Sequence, residues 1–172
     1  MTDTLVIDTN VLEYLFDDAA HNADGHIDVL LKAITEKKKR IGLDRPAGTQ
    51  NSRILAEYGH RLKQHLKQMA EQGLRTQWLR YIVVFAERAE VSVNLSDGLG
   101  VCISSAIGHR SKVHAETSDQ IFVYVACVLD CEMVSDNSSH ITNHSKLLRK
   151  CAKGLGSGNT DFISSQAAAA AI

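Results

Sequence analysis

Two short apolar runs that stop at acids constrain this chain more than any other feature. Residues 4–7 end at Asp8-Thr9-Asn10, and residues 131–134 end at Ser135-Asp136-Asn137. Short apolar runs bounded by turn residues read as strands buried on both faces, and such strands need helices above and below them. The intervening sequence supplies those helices. Residues 24–39 place Ile27, Leu30, Leu31 and Ile34 at amphipathic spacing, and residues 51–72 carry Ile54, Leu55, Tyr58, Leu62, Leu66 and Met69 on one stripe. Residues 75–89, with Trp78, Leu79, Ile82, Val83 and Phe85, read as a further helix, and residues 118–129 as a strongly apolar one. Residues 11–16 read as a first helix with Asn10 as its N-cap, and residues 101–107 as a short one. Residues 40–43 read as a second strand, residues 161–163 as a last short strand, and the terminal Ser-Gln-Ala run as a final helical turn. Strands alternating with helices predict an α/β fold, a three-layer sandwich around a central, mostly parallel sheet. Residues 1–172 are expected to form one domain, since no repeat or linker interrupts them.

Composition narrows the class. The chain has 172 residues, 44% of them apolar and 23% charged, which is globular rather than disordered. No run of apolar residues is long enough for a spanning helix, so no membrane partner is expected. The N-terminal residues carry acids and no Lys or Arg before Lys32, unlike the basic start of a secretory signal. The four cysteines, Cys102, Cys127, Cys131 and Cys151, lack CxxC spacing and read as reduced, mostly buried thiols of a cytoplasmic protein.

Charge is unevenly spread. The net charge is −1, yet residues 32–67 hold ten Lys/Arg against three acids. Such a stretch is either a solvated helix face or a footprint for a phosphate backbone.

Four carboxylates fall where an α/β sheet gathers ligands, beyond the C-terminal ends of its strands. Asp8 and Asp136 follow the two diagnostic runs. Asp119 lies in the first turn of the helix that precedes the second run, and Glu57 sits on or beside the apolar stripe of the 51–72 helix. Each has an ordinary structural role open to it: helix cap, dipole complement, turn residue, or partner of Arg61 at i+4. Clustered together they repel, and the usual remedy is a divalent cation; hard oxygen ligands suit Mg²⁺ or Mn²⁺ rather than zinc. His140 and His144 stand at i,i+4 without an evident third ligand and read as surface residues.

The segments Leu5-Val-Ile-Asp-Thr-Asn10, Ile54-Leu-Ala-Glu-Tyr-Gly59, Ser118-Asp119 and Val134-Ser-Asp-Asn137, in that order, give the chain a resemblance to the PIN-domain ribonucleases, a family that includes bacterial toxins. The resemblance spans about residues 5 to 140. It implies an endoribonuclease with Asp8, Glu57, Asp119 and Asp136 as catalytic metal ligands for Mg²⁺ or Mn²⁺, and Asn10, Ser135 and Asn137 as their supports. It further implies RNA held by Arg45, Arg53, Arg61 and Lys63, a neutralising antitoxin-like protein, and a homodimer. The family often places aspartate where Asn137 stands, so the resemblance also admits a catalytically degraded module that binds RNA or a protein. Phosphatases of the haloacid-dehalogenase type fit less well, because Asn10 occupies the position of their second aspartate.

Overall fold

The computed structural model describes residues 3–17, 24–45, 51–64, 86–107 and 116–172. Strand β1 (Thr4–Ile7) is buried along its whole length, as its apolar run requires. It pairs in parallel with β2 (Arg40–Arg45) on one side, Leu5 opposite Ile41, and with β4 (Glu132–Val134) on the other, Ile7 opposite Val134. Strands β3 (Arg88–Ser92) and β5 (Phe162–Ile163) add to the two outer edges, giving a five-stranded, all-parallel sheet of order β3-β2-β1-β4-β5.

Among the described residues, the helices are α1 (Thr9–Asp17), α2 (His26–Thr35), α3 (Arg53–Gln64), α4 (Gly98–Ile107), α5 (Glu116–Leu129), α6 (Ser145–Lys153) and α7 (Ser165–Ala170), with a 3₁₀ turn at Thr142–His144. They flank the sheet as the sandwich predicts. Helix α5 lies against β1, β2, β3 and β4 and is nearly solid with apolar residues, Phe122, Val123, Val125, Ala126 and Cys127 all being fully buried. Gly42 in β2 permits this approach. A Cβ there would stand 2.7 Å from Val6 Cγ2 and 2.9 Å from Leu129 Cδ1. Among the described residues, no helix is long and apolar enough to cross a membrane.

Three expectations need correction. Residues 88–89 are not helical but open β3, whose outward residues Arg88, Glu90 and Ser92 are exposed while Ala89 is buried. An edge strand of that kind alternates weakly and is easily absorbed into a neighbouring helical pattern; residues 75–85 of that predicted helix, and residues 65–72 of the one before it, lie outside the described residues. Asn10 stands inside α1 rather than capping it, and Asp8 occupies the cap position, its carbonyl accepting the Val11 N–H at 3.1 Å. The cysteines are not all reduced. Cys102 on α4 and Cys151 on α6 form a disulfide with Cα atoms 5.8 Å apart, a separation natural to such a bond. Only Cys127 and Cys131 are the buried free thiols that were expected.

Candidate active site

Because β2 and β3 lie to one side of β1 and β4 and β5 to the other, the chain reverses direction across the sheet between β1 and β4. The crevice at that switch opens beyond the carboxyl ends of the two strands, where ligands of open α/β sheets bind. Asp8 and Ser135 face one another across it. The Asp8 N–H donates to the Val134 carbonyl at 2.9 Å, continuing the ladder, and the Ser135 hydroxyl donates to Asp8 Oδ2 at 2.6 Å. Both residues are buried, Asp8 at 4% exposure.

Burial drives the Asp8 carboxyl up from 3.8 to about 7, against the lowering effect of the Ser135 hydroxyl; the charges of Asp119 and Glu57 push it further up. The three acids therefore share one electrostatic field.

Glu57 reaches this place through two anchors on α3. Asp44, at the end of β2 and only 3% exposed, accepts the Ser52 hydroxyl at 2.6 Å and the N–H groups of Arg53 and Ile54 at 2.9 and 3.0 Å. Ser52 Oγ in turn accepts the Leu55 N–H at 3.2 Å, so the orphan donors of the first turn are met. One turn on, the Tyr58 hydroxyl donates to the Ile7 carbonyl, and its ring packs near Phe122 at 6.0 Å between centroids. Glu57, beside Tyr58, is thereby held over the end of β1, where its Oε1 accepts the Thr9 hydroxyl at 2.9 Å.

Asp119, near the start of α5 and largely buried, has its Oδ2 2.8 Å from His140 Nδ1. Asn137 shapes the loop that carries that histidine. Its Oδ1 accepts the His140 N–H at 3.1 Å and the Ser139 hydroxyl at 3.0 Å, while its own N–H donates to Ser135 Oγ at 3.1 Å. Asn137 is thus a loop organiser here, and His140, read from sequence as a surface residue, joins the site. No spacing rule links positions 119 and 140.

Asp136 is engaged elsewhere. Its two carboxylate oxygens accept the N–H and the hydroxyl of Ser165, at 2.9 and 2.5 Å, at the start of α7, while its own N–H reaches Asn10 Oδ1 at 3.4 Å. Behind Ser165 stands His26, whose Nε2 lies 2.8 Å from Ser165 Oγ and whose Nδ1 pairs with Asp24. Neither Ser165 nor His26 was a sequence candidate; their partners lie 29 and 139 residues away.

Of the basic residues, Arg45 ends β2, exposed and 3.4 Å from Glu90 on β3, and Arg53 opens α3, also exposed. Arg61 and Lys63 lie on α3, their side chains outside the described residues.

Among the described residues, no three His, Cys, Asp or Glu side chains converge into a ready-made metal cage. Mg²⁺ and its chemical neighbours do not require one, because they keep several waters and take one or two carboxylates from the protein. An all-oxygen set with Asp8 at its centre and Glu57 and Asp119 near it fits such a water-rich ion. No protein-family model, curated protein or solved structure matches the chain.

Proposed function

We propose that the chain is a divalent-metal-dependent endoribonuclease whose reaction centre is the crevice between β1 and β4. The observation that carries this reading is the Asp8 carboxyl, buried beside Asp119 and Glu57 and raised to about 7. Such a group is poorly stabilised as an anion by its own protein and is relieved by a cation. The resemblance of the four acidic motifs to the PIN-domain ribonucleases supports the same reading. Bound Mg²⁺ or Mn²⁺ supplies a nucleophilic hydroxide at neutral pH and stabilises charge on the leaving oxygen.

The chain's own residues do the positioning. Asp8, oriented by the Ser135 hydroxyl, would be the principal residue holding the ion. Glu57 and Asp119 would assist it, with Thr9 and His140 fixing their carboxylates. Asp136 contributes by holding α7 and Asn10 in place. Arg45, Arg53, Arg61 and Lys63 bind the RNA backbone, giving affinity without sequence choice.

A second reading, an RNA-binding module without catalysis, is favoured by the engagement of Asp136 with Ser165 and by asparagine at position 137. Incubation of end-labelled single-stranded RNA with Mn²⁺ separates the two. The nuclease reading expects cutting that EDTA and Asp8→Asn each abolish. RNA retained but never cut would leave the binding module.

A further inference from the structure

The Cys102–Cys151 bond stands apart from the acidic crevice, and its two halves are unequally sheltered. Cys102 is exposed on α4, whereas Cys151 on α6 is 6% exposed. The bond borders a groove of about 520 Å³ whose walls include Asp97, Leu99, Lys150, Gly154 and Leu155. Of the two charged groups there, Asp97 is tied down by the Gly100 N–H at 2.8 Å and the Tyr124 hydroxyl at 2.6 Å. Lys150 supplies positive charge to the same groove. The other cysteines are closed to this chemistry, since burial pushes the Cys127 and Cys131 thiols up to about 12 and keeps them protonated.

We propose that this disulfide is a thiol–disulfide exchange site whose co-reactant is a dithiol. The attacking thiolate approaches along the S–S axis from the groove and bonds to Sγ of Cys102, the exposed residue of the pair, while the Cys102–Cys151 bond breaks and its electron pair leaves on Cys151 Sγ. The second thiolate of the dithiol then attacks its own sulfur in the mixed disulfide, releasing Cys102. The products are an oxidised dithiol and two protein thiols, with two electrons and two protons transferred in all. Lys150 lines the same groove and is the cation there that can offset the thiolates, opposite in sign to the Asp97 carboxylate.

The position of the bond gives the exchange a consequence. It joins the ends of the segment that carries Asp119, Ser135, Asp136, Asn137 and His140, residues 49 apart in sequence. Ser104 on α4 also donates to Gln120 on α5 at 3.0 Å, next to Asp119. Opening the bond removes one tie between α4 and α6, which still pack against each other, and leaves the Ser104–Gln120 hydrogen bond and the core of α5, so the fold persists and the bond re-forms.

The test uses the wild-type protein and needs no RNA cleavage. The chain is prepared without reductant, exposed to dithiothreitol without denaturant, alkylated with iodoacetamide and mapped by peptide mass. The exchange site requires alkylation of Cys102 and Cys151 only after dithiothreitol, with Cys127 and Cys131 unmodified and the circular dichroism of the fold retained. In a parallel arm, Cys151→Ser should take up glutathione from its disulfide form at Cys102. Protection of Cys102 and Cys151 until denaturant is added would make the bond a closed structural staple and overturn the proposal. So would their alkylation in the unreduced protein.

Discussion

The Tyr58 hydroxyl donates its hydrogen bond to the carbonyl of Ile7, the residue before Asp8. This contact ties α3 to the tip of β1 and so fixes the distance between the two acids those elements carry. Tyr58 is fully buried, and burial with the neighbouring charges of Asp8, Glu57 and Asp44 holds its hydroxyl well above the usual range, firmly protonated as a donor. Tyr58→Phe keeps the ring and leaves the Ile7 carbonyl without this donor. It should lower the unfolding free energy by about 1–3 kcal/mol, read as a lower urea midpoint at unchanged slope. An unchanged midpoint would mean that the contact does not hold α3.

Asp44 makes a second, independent anchor for the same helix. Asp44→Ala strips three donors at the start of α3 of their acceptor. A loss of about 2 kcal/mol is expected in urea titration, at the upper end for an N-terminal cap. Asp44→Asn, which retains one acceptor oxygen, should recover part of it.

Asp8 makes stability depend on pH in an unusual direction. Its carboxyl titrates at about 7 in the folded chain against 3.8 as the reference, so between those values the folded state binds more protons than the unfolded one. Stability from this group is therefore complete below pH about 4 and is lost as pH rises through 7. The full loss is up to about 4 kcal/mol at 1.36 kcal/mol per pH unit. Asp8→Asn removes the ionisation at constant size. In EDTA it should melt higher than wild type at pH 8, with the gap closing by pH 4, in calorimetric scans. A gap that is the same at both pH values would place the effect elsewhere than in the charge.

Breaking the disulfide should also be visible as stability. Closing a sequence separation of 49 residues restricts the unfolded chain, and its loss should cost about 2–4 kcal/mol. Urea curves with and without dithiothreitol measure it. Superimposed curves, with reduction verified, would show that the bond does not restrain the unfolded state.

For RNA, Arg53→Glu with Arg61→Glu should weaken binding across unrelated sequences and reduce the slope of log affinity against log salt by roughly 1–2. Filter binding at several salt concentrations checks this. Binding unchanged by both reversals would remove the patch from the interface.

The parts of this structure that sequence disclosed are those whose signal is local. The runs at 4–7 and 131–134 hold the parallel strands β1 and β4, and a residue that follows such a run must lie near the sheet's carboxyl edge, which placed Asp8 and Asp136, although the Asp136 carboxylate turns to Ser165. Strand β3 escaped because an edge strand shows one face to water, and Arg88, Glu90 and Ser92 blur its pattern. The role of Asp44 was hidden because a cap supplied from the preceding strand depends on how the chain folds back, not on helix spacing. The Asp119–His140 and His26–Ser165–Asp136 contacts are set by tertiary packing between distant elements. The disulfide was likewise beyond spacing, since four cysteines allow three pairings and a fully reduced state.

The central claim is that the crevice between β1 and β4 is a cation site centred on Asp8, and calorimetric titration with Mn²⁺ tests it most directly. At pH 7 the wild-type chain should bind the ion and release a fraction of a proton, seen as a heat that changes between buffers of different ionisation enthalpy, because the ion displaces the proton that Asp8 shares there. Asp8→Asn should lose at least about tenfold in affinity together with the proton release. Equal Mn²⁺ affinity in the two proteins, or no binding by the wild type, would contradict the account.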